Sequence, residues 1–119
     1  MPMPNDALTA RLARCREINI SVTGRKSGRI ISNPVWFVLD EDKLYLLPVQ
    51  GSDTQWYKNV LKNPSIRIGA GSVEAELTAV ATDATQVSSV VEKFSDKYGA
   101  SDVRKYYSKF DVTVLAQMR

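Results

Sequence analysis

The stretch that most constrains the fold runs from Thr23 to Leu39, with the sequence TGRKSGRIISNPVWFVL. From Ile30 onward it is rich in β-branched and aromatic residues, which favour a β-strand. Both faces of that strand are largely apolar, so we expect it either to be covered by the rest of the chain on both faces or to bear a ligand on one of them. Pro34 cannot donate a backbone hydrogen bond, so it is expected at a sheet edge or a bulge.

The first half of this stretch, Thr23–Arg29, holds two glycines, three cationic side chains and two hydroxyls. Glycine allows close backbone approach, backbone N–H groups can point at phosphate oxygens, and Arg and Lys supply positive charge. The turn therefore fits an anion-binding site. A solvated hairpin turn that happens to be basic explains the same residues, and the local pattern leaves both interpretations open.

Composition narrows the chemistry that this chain can perform. Its 119 residues fit a single domain covering 1–119, with residues 1–16 as an N-terminal tail and short helix. There is no histidine and Cys15 is the one cysteine, which excludes His-based catalysis and thiolate metal clusters, so no metal site is expected. A net charge of +3 favours an anionic ligand and not nucleic acid. The absence of a long apolar run or a signal peptide predicts a cytoplasmic protein without a transmembrane segment.

Periodicity predicts an α+β chain of short antiparallel strands with helices at the periphery. After the N-terminal helix, which begins at Asn5 or Asp6 and ends near Arg14, the predicted elements are strands at Glu17–Thr23, Ile30–Leu39 and Lys43–Val49, a helix that ends at Asn63–Pro64, strands at Ser65–Ala70 and Val73–Ala81, a helix from Asp83 to Gly99, a basic segment at Val103–Lys109, and a strand at Asp111–Leu115. Ser52 and Gln55 have the spacing of a capping box at the start of the central helix. The free N–H groups there make a second candidate anion site.

Four segments in this order resemble the deazaflavin-dependent nitroreductase family: TGRKSG, NPVWF, QGS and WYKNVLKNPSIRI. The resemblance covers Ile18 to Leu115. The family belongs to the split β-barrel superfamily that also contains FMN-binding pyridoxamine phosphate oxidases. The resemblance implies an antiparallel split β-barrel of six or seven strands with peripheral helices.

The resemblance also implies a coenzyme, 8-hydroxy-5-deazaflavin (F-420), and a hydride transfer to an activated alkene, quinone or nitro compound. Arg25, Lys26, Ser27 and Gly28 would hold the phosphate and acidic tail of the coenzyme. Asn33, Pro34 and Val35 would line its ring, Gln50, Gly51 and Ser52 would close around the ring or phosphate, and Trp56 and Asn59 would support the site. Tyr106 or Tyr107 would lie over a pocket for a small apolar or aromatic substrate. A tyrosine or an ordered water would supply the proton that follows the hydride.

The chain departs from the family pattern at two positions that are commonly basic. Ile31 stands two residues before Asn-Pro, and Gln50 stands where the family commonly has the lysine of Ser-Lys-Gly-Gly. Two other functions are therefore alternatives to a deazaflavin-dependent oxidoreductase. One is an FMN-binding split-barrel protein, and the other is a non-catalytic relative that binds a small molecule. The superfamily also raises a homodimer as an expectation.

Overall fold

The structure, a computed structural model, describes residues 12, 15–40, 43–70, 73–82 and 84–117. The predicted N-terminal helix, of which Leu12 alone is described, and Asp83, the predicted start of the long helix, lie outside these ranges. The strands are β1 (Ile18–Thr23), β2 (Ile30–Val35), β3 (Phe37–Asp40), β4 (Lys43–Leu46), β5 (Ser65–Ala70), β6 (Val73–Thr82) and β7 (Thr113–Gln117). The helices are α1 (Gln55–Lys62), α2 (Ala84–Tyr98) and α3 (Ala100–Tyr106), and a 3₁₀ turn covers Gly51–Asp53.

All seven strands join one antiparallel sheet in the order β2-β1-β5-β6-β7-β4-β3. The two end strands, β2 and β3, are consecutive in sequence and separated by Trp36 alone. Because one residue links the two edges, the sheet must curl until its edges approach each other at Trp36. The edges do not pair, so the sheet is a barrel that is open along one seam. The predicted α+β split barrel is confirmed, with seven strands.

The prediction of one continuous strand over Ile30–Leu39 is wrong. The chain leaves the sheet at Trp36, so the two halves become β2 and β3 at opposite ends of the strand order. Apolar residues occur on both faces of each half, so the pattern along the segment shows no break at Trp36. The expectation that both faces are covered is not met in β2, because Ile30 and Ile31, on its opposite faces, are 68% and 41% exposed. Pro34 does lie on an edge strand, as expected.

Other element boundaries also shift. The strand predicted at Lys43–Val49 ends at Leu46, and the last strand runs from Thr113 to Gln117 and not from Asp111 to Leu115. The basic segment predicted at Val103–Lys109 is mostly a helix that begins earlier, at Ala100. The long predicted helix ends at Gly99, whose φ of 98° stops the helix as expected.

Two groups of buried apolar side chains stabilise the molecule. One fills the barrel interior, where Ile20, Phe37 and Leu44 are fully buried. The other lies between β3, the end of β4 and helices α2 and α3, around Phe94 and Tyr107. Phe37 and Val38 are neighbours on β3 that enter different groups, so β3 separates the barrel interior from the helices.

Candidate functional site

The basic turn between β1 and β2 is a closed and ordered loop. The N–H of Gly24 donates to the carbonyl oxygen of Arg29 at 2.7 Å, and the N–H of Gly28 donates to that of Gly24 at 3.0 Å. The Ser27 hydroxyl accepts from the N–H of Arg29 at 3.2 Å. Lys26, Ser27, Gly28 and Arg29 are all exposed, so the turn presents its charged side chains to solvent.

Arg25 differs from the rest of the turn because helix α1 holds it in place. The Oδ1 of Asn59 accepts from the backbone N–H of Arg25 at 3.1 Å and from its Nη1 at 2.8 Å. The Oε1 of Gln55 accepts from its Nη2 at 3.0 Å. Asn59 is buried, with 4% of its surface exposed. The guanidinium is therefore fixed by two neutral amides, and among the described residues no carboxylate forms an ion pair with it.

The register of β1 and β2 explains how an edge strand accommodates Pro34. The Gly24–Arg29 hydrogen bond sets the alternation, so Ile20 pairs with Asn33 in a hydrogen-bonded pair. Pro34, opposite Asn19, then falls in a non-hydrogen-bonded pair, where backbone groups point away from the partner strand. The carbonyl of Pro34 faces the open edge of β2, while the backbones of Asn33 and Val35 face β1.

Gln50, Gly51 and Ser52 lie together just before α1, in contact with the chain that precedes β7. The N–H of Ser52 donates to Oδ1 of Asp111 at 2.9 Å, and its hydroxyl donates to Oδ2 at 2.6 Å. Lys109 lies 3.2 Å from a carboxylate oxygen of Asp53 and 3.6 Å from one of Asp111. The hydrogen bond from the Ser52 hydroxyl, with the Ser52 N–H and the Lys109 charge, lowers the pKa of Asp111 below its usual value.

The capping box predicted from Ser52 and Gln55 is wrong. The residue that precedes α1 is Thr54, and its side chain does not cap the helix. The Thr54 hydroxyl instead accepts from the N–H of Gln50 at 2.8 Å. The side chains of the predicted box bind elsewhere, since Gln55 contacts Arg25 and Ser52 contacts Asp111.

An aromatic cluster surrounds Trp36, the residue at the barrel seam. Its ring stacks on Tyr98 with centroids 4.2 Å apart, and Tyr106 lies tilted against it at 4.6 Å. Tyr107 meets Trp36 edge-on at 6.0 Å and is buried. Burial, with the neighbouring Tyr106 and Tyr98, raises the pKa of the Tyr107 phenol above its ordinary value. Tyr106 keeps 42% of its surface exposed.

The predicted site residues thus form three groups that follow one another around the start of α1. Gln55 and Asn59 join the basic turn to the helix, and Thr54 joins the helix to Gln50. The Ser108 N–H donates to the Val49 carbonyl at 2.8 Å and joins that segment to the end of α3, which carries Tyr106. Trp56 and Val35 are exceptions, because both side chains are buried among the barrel core side chains.

A separate groove of about 390 Å³ lies on the outer face of β1, β2, β5 and β6. Its lining is largely polar and includes Ser21, Ser32, Arg67 and Glu76. The hydroxyls of Ser21 and Ser32 hydrogen-bond each other at 2.7 Å, and Arg67 forms an ion pair with Glu76 at 2.9 Å. None of the residues predicted from the sequence to bind a cofactor lines this groove.

Sequence analysis missed several residues that organise the site. Asp111 lies 59 positions from Ser52, and no local pattern reveals that pairing. Lys109 was grouped only with a basic segment. Tyr98 lies within the helix predicted from Asp83 to Gly99, and the sequence gives no specific sign that its hydroxyl binds the backbone of Phe37 on β3. A buried tyrosine usually finds a partner for its hydroxyl, which is the one general signal available for it.

Comparison with known proteins gives the family. Residues 9–115 match the model of a family described as "Uncharacterized protein conserved in bacteria (DUF2255)". The chain belongs to this family. No curated protein matches the DUF2255 sequence significantly.

Solved structures share the fold of this DUF2255 protein at low sequence identity. An F420-H2 dependent reductase (FDR-A) is 19% identical with a TM-score of 0.67, covering 86% of this chain and 94% of its own. HutZ, the heme storage protein from Vibrio cholerae, is 14% identical with a TM-score of 0.68, covering 98% and 90%. A domain-swapped dimer is 17% identical with a TM-score of 0.68, covering 97% and 100%. The expected likeness to split-barrel proteins, a deazaflavin-dependent reductase among them, is confirmed at the level of the fold.

Among the described residues, no helix combines the length and the apolar composition needed to cross a bilayer.

Proposed function

We propose that this protein is an oxidoreductase that binds the 8-hydroxy-5-deazaflavin coenzyme (F-420) and reduces an activated alkene, quinone or nitro compound. The proposal rests on the hydrogen bonds of Arg25. Two neutral amides fix its guanidinium, and the adjoining Lys26 and Arg29 are exposed. A positive group that is held in place without a carboxylate partner is suited to an anion supplied by a ligand.

In this arrangement Arg25, Lys26, Ser27 and Gly28 would hold the acidic tail of the coenzyme. Asn59 positions Arg25 from inside the protein. The open edge of β2 at Pro34, flanked by Asn33 and Val35, would border the ring, and Gln50, Gly51 and Ser52 would border it from the side of α1. When bound, the coenzyme supplies the hydride. The protein's own tasks are to bind, orient and exclude water.

Tyr106 and Tyr107 have different roles under this proposal. Tyr106 is exposed beside Trp36 and is the candidate that contacts substrate. Tyr107 is buried, and the raised pKa of its phenol keeps it protonated at neutral pH. We assign Tyr107 to supporting the aromatic cluster and Tyr106, or a water beside it, to delivering the proton.

A ligand titration tests the proposal. Fluorescence of Trp36 and Trp56 is followed while purified protein receives F-420 or, in parallel, FMN. We expect saturable F-420 binding with a Kd of about micromolar order. Arg25→Gln should weaken it about tenfold or more, since it removes a charged hydrogen-bond donor. Arg67→Gln is the matched control, because Arg67 is an exposed arginine whose partner is Glu76 on the outer groove.

Three results would overturn the proposal. Binding of FMN alone would place the protein with flavin-binding split barrels. Binding of neither compound would favour a non-catalytic relative that holds another small molecule. Equal F-420 affinity in wild type and Arg25→Gln would show that the turn does not bind the anionic part of the coenzyme. If F-420 binds as expected, oxidation of the reduced coenzyme by a quinone and by a nitroaromatic compound tests the reaction class.

A further inference from the structure

We propose that the carboxylate of Asp111 fills the anion position of the Gly51–Ser52 turn, so that this end of the site excludes phosphate and accepts hydrogen-bond donors. Asp111 then acts as a specificity-determining residue. The inference deepens the proposed function and rests on it in one respect, namely that the negative end of the ligand lies at Arg25.

The geometry at Ser52 is that of a bound anion. Its backbone N–H and its hydroxyl donate to two different oxygens of one carboxylate, at 2.9 and 2.6 Å. An incoming phosphate would need the same two donors. It would have to displace Asp111 and also approach its negative charge.

The backbone of the turn is shaped around this carboxylate. Gly51 has a φ of 56°, and a Cβ placed on it would overlap Oδ1 of Asp111. Only glycine therefore allows the carboxylate to come this close to the turn. Lys109 bridges Asp111 and Asp53, so the cluster contains two carboxylates and one ammonium. Its formal charge is negative, opposite to that of the Arg25 turn.

The carboxylate also faces solvent in part, since 37% of the Asp111 side chain is exposed. Each carboxylate oxygen has two lone pairs. Ser52 occupies one on each, and Lys109 approaches Oδ2 at 3.6 Å, which leaves Oδ1 as the more open acceptor. The remaining acceptor positions suit a ligand N–H or O–H group. The two ends of the site thus recognise opposite chemistry, with anions at Arg25 and neutral or cationic donors at Asp111.

Phosphate titration followed by amide NMR shifts tests this inference without any cofactor. In the wild type, inorganic phosphate should shift the amides of residues 25–29 and leave those of Gly51 and Ser52 unchanged. In Asp111→Asn, which keeps the side-chain shape, Gly51 and Ser52 should respond saturably, with a Kd at least tenfold lower than any wild-type response there. Asp53→Asn is the control. It removes one charge from the same cluster without touching the Ser52 donors, and it should behave as the wild type.

Two outcomes would overturn the role of Asp111. One is a phosphate-induced shift of Ser52 in the wild type, and the other is an unresponsive Ser52 in a folded Asp111→Asn protein. If Asp111→Asn does not fold, Ser52→Ala keeps the carboxylate and serves instead. Gly51 must then stay unresponsive, and a response would overturn the inference. Failure of the proposed function appears separately, as the absence of shifts at residues 25–29.

Discussion

At the scale of the residue, Gly51 and Gly28 form a natural pair for comparison. Both have left-handed backbone angles, with φ of 56° and 71°. A Cβ on Gly28 would meet nothing within 4 Å, whereas one on Gly51 would overlap Asp111. Gly28→Ala should therefore cost about 1–2 kcal/mol of unfolding free energy from backbone strain alone. Gly51→Ala should cost about 2 kcal/mol more, because it also displaces a carboxylate from its hydrogen bonds.

Chemical denaturation of the two glycine variants measures this difference. Equal costs would contradict it, because they would mean that the turn can move away from Asp111 without loss. In Gly51→Ala the Ser52 amide should lose its hydrogen bond to Asp111 and exchange its hydrogen faster. Amide hydrogen exchange therefore measures the same contact locally.

Lys97 on α2 is the second residue with a distinctive environment. Burial, with a smaller contribution from the Arg16 charge, lowers the pKa of its ammonium from 10.5 to about 8. Its Nζ donates to the Phe37 carbonyl at 2.9 Å and lies 3.4 Å from the centroid of the Phe37 ring. Between pH 8 and 10.5 the unfolded chain retains a proton that the folded chain has released. The free energy of unfolding should therefore rise with pH in that window.

Lys97→Met tests this dependence, since methionine keeps an apolar stem over Phe37 and cannot titrate. Denaturant unfolding from pH 7.5 to 9.5 should show the wild type gaining on the order of 1 kcal/mol relative to the variant, a value discounted because the amine is partly exposed. Lys93→Met is the control, because the hydrogen bond to Asp40 raises the pKa of Lys93 above the window. A parallel pH profile for wild type and Lys97→Met would contradict the assignment.

At the scale of the element, the sequence predicts those strands and helix ends that are determined by residues close together in the chain. The β5–β6 hairpin keeps its predicted first strand, and Asn63 ends α1 as expected. The break at Trp36 is different, because it is imposed by strand order and not by local preference. The residues on its two sides, Val35 and Phe37, are both buried strand residues. Only the position of β2 and β3 at opposite sheet edges distinguishes them.

The site shows the same division between local and distant causes. The basic turn is readable because its glycines and cations are contiguous, and Asn59 could be named from a family motif. The capping box failed because Ser52 has a stronger partner. A charged acceptor such as Asp111 outweighs the backbone N–H groups of α1 as a partner for a serine hydroxyl. Asp111 lies 59 positions from Ser52 in the sequence, so the spacing of residues around Ser52 cannot predict this hydrogen bond.

At the scale of the whole molecule, helices α2 and α3 must be tied to a barrel whose interior is filled by the strands and by helix α1, which contributes Trp56, Tyr57 and Val60. The barrel core and the helix-facing group are separate clusters, and β3 is the wall between them. Tyr98 crosses this wall. Its hydroxyl accepts from the Phe37 N–H at 3.1 Å and lies 2.6 Å from the Arg16 carbonyl oxygen. The Phe37 carbonyl oxygen also lies within reach of the hydroxyl at 2.9 Å, but the shorter distance favours donation of the hydroxyl proton to Arg16.

One hydroxyl therefore joins α2 to the barrel seam and to the segment before β1. Tyr98→Phe keeps the ring that stacks on Trp36 and removes only these hydrogen bonds. Phe37 is fully buried, so its N–H would lose its partner out of reach of water. We expect a cost of about 2 kcal/mol in the free energy of unfolding, measured by chemical denaturation.

Tyr106→Phe is the matched control, since it also preserves a ring against Trp36 but removes a hydroxyl from an exposed side chain. It should change stability by less than about 0.5 kcal/mol. Similar costs for the two variants would mean that stacking on Trp36, and not the Tyr98 hydroxyl, holds the helices on the barrel. A large cost confined to Tyr98→Phe would mean that the seam at Trp36 is closed by hydrogen bonds from α2. The aromatic end of the proposed substrate site would then depend on a helix that contacts no ligand.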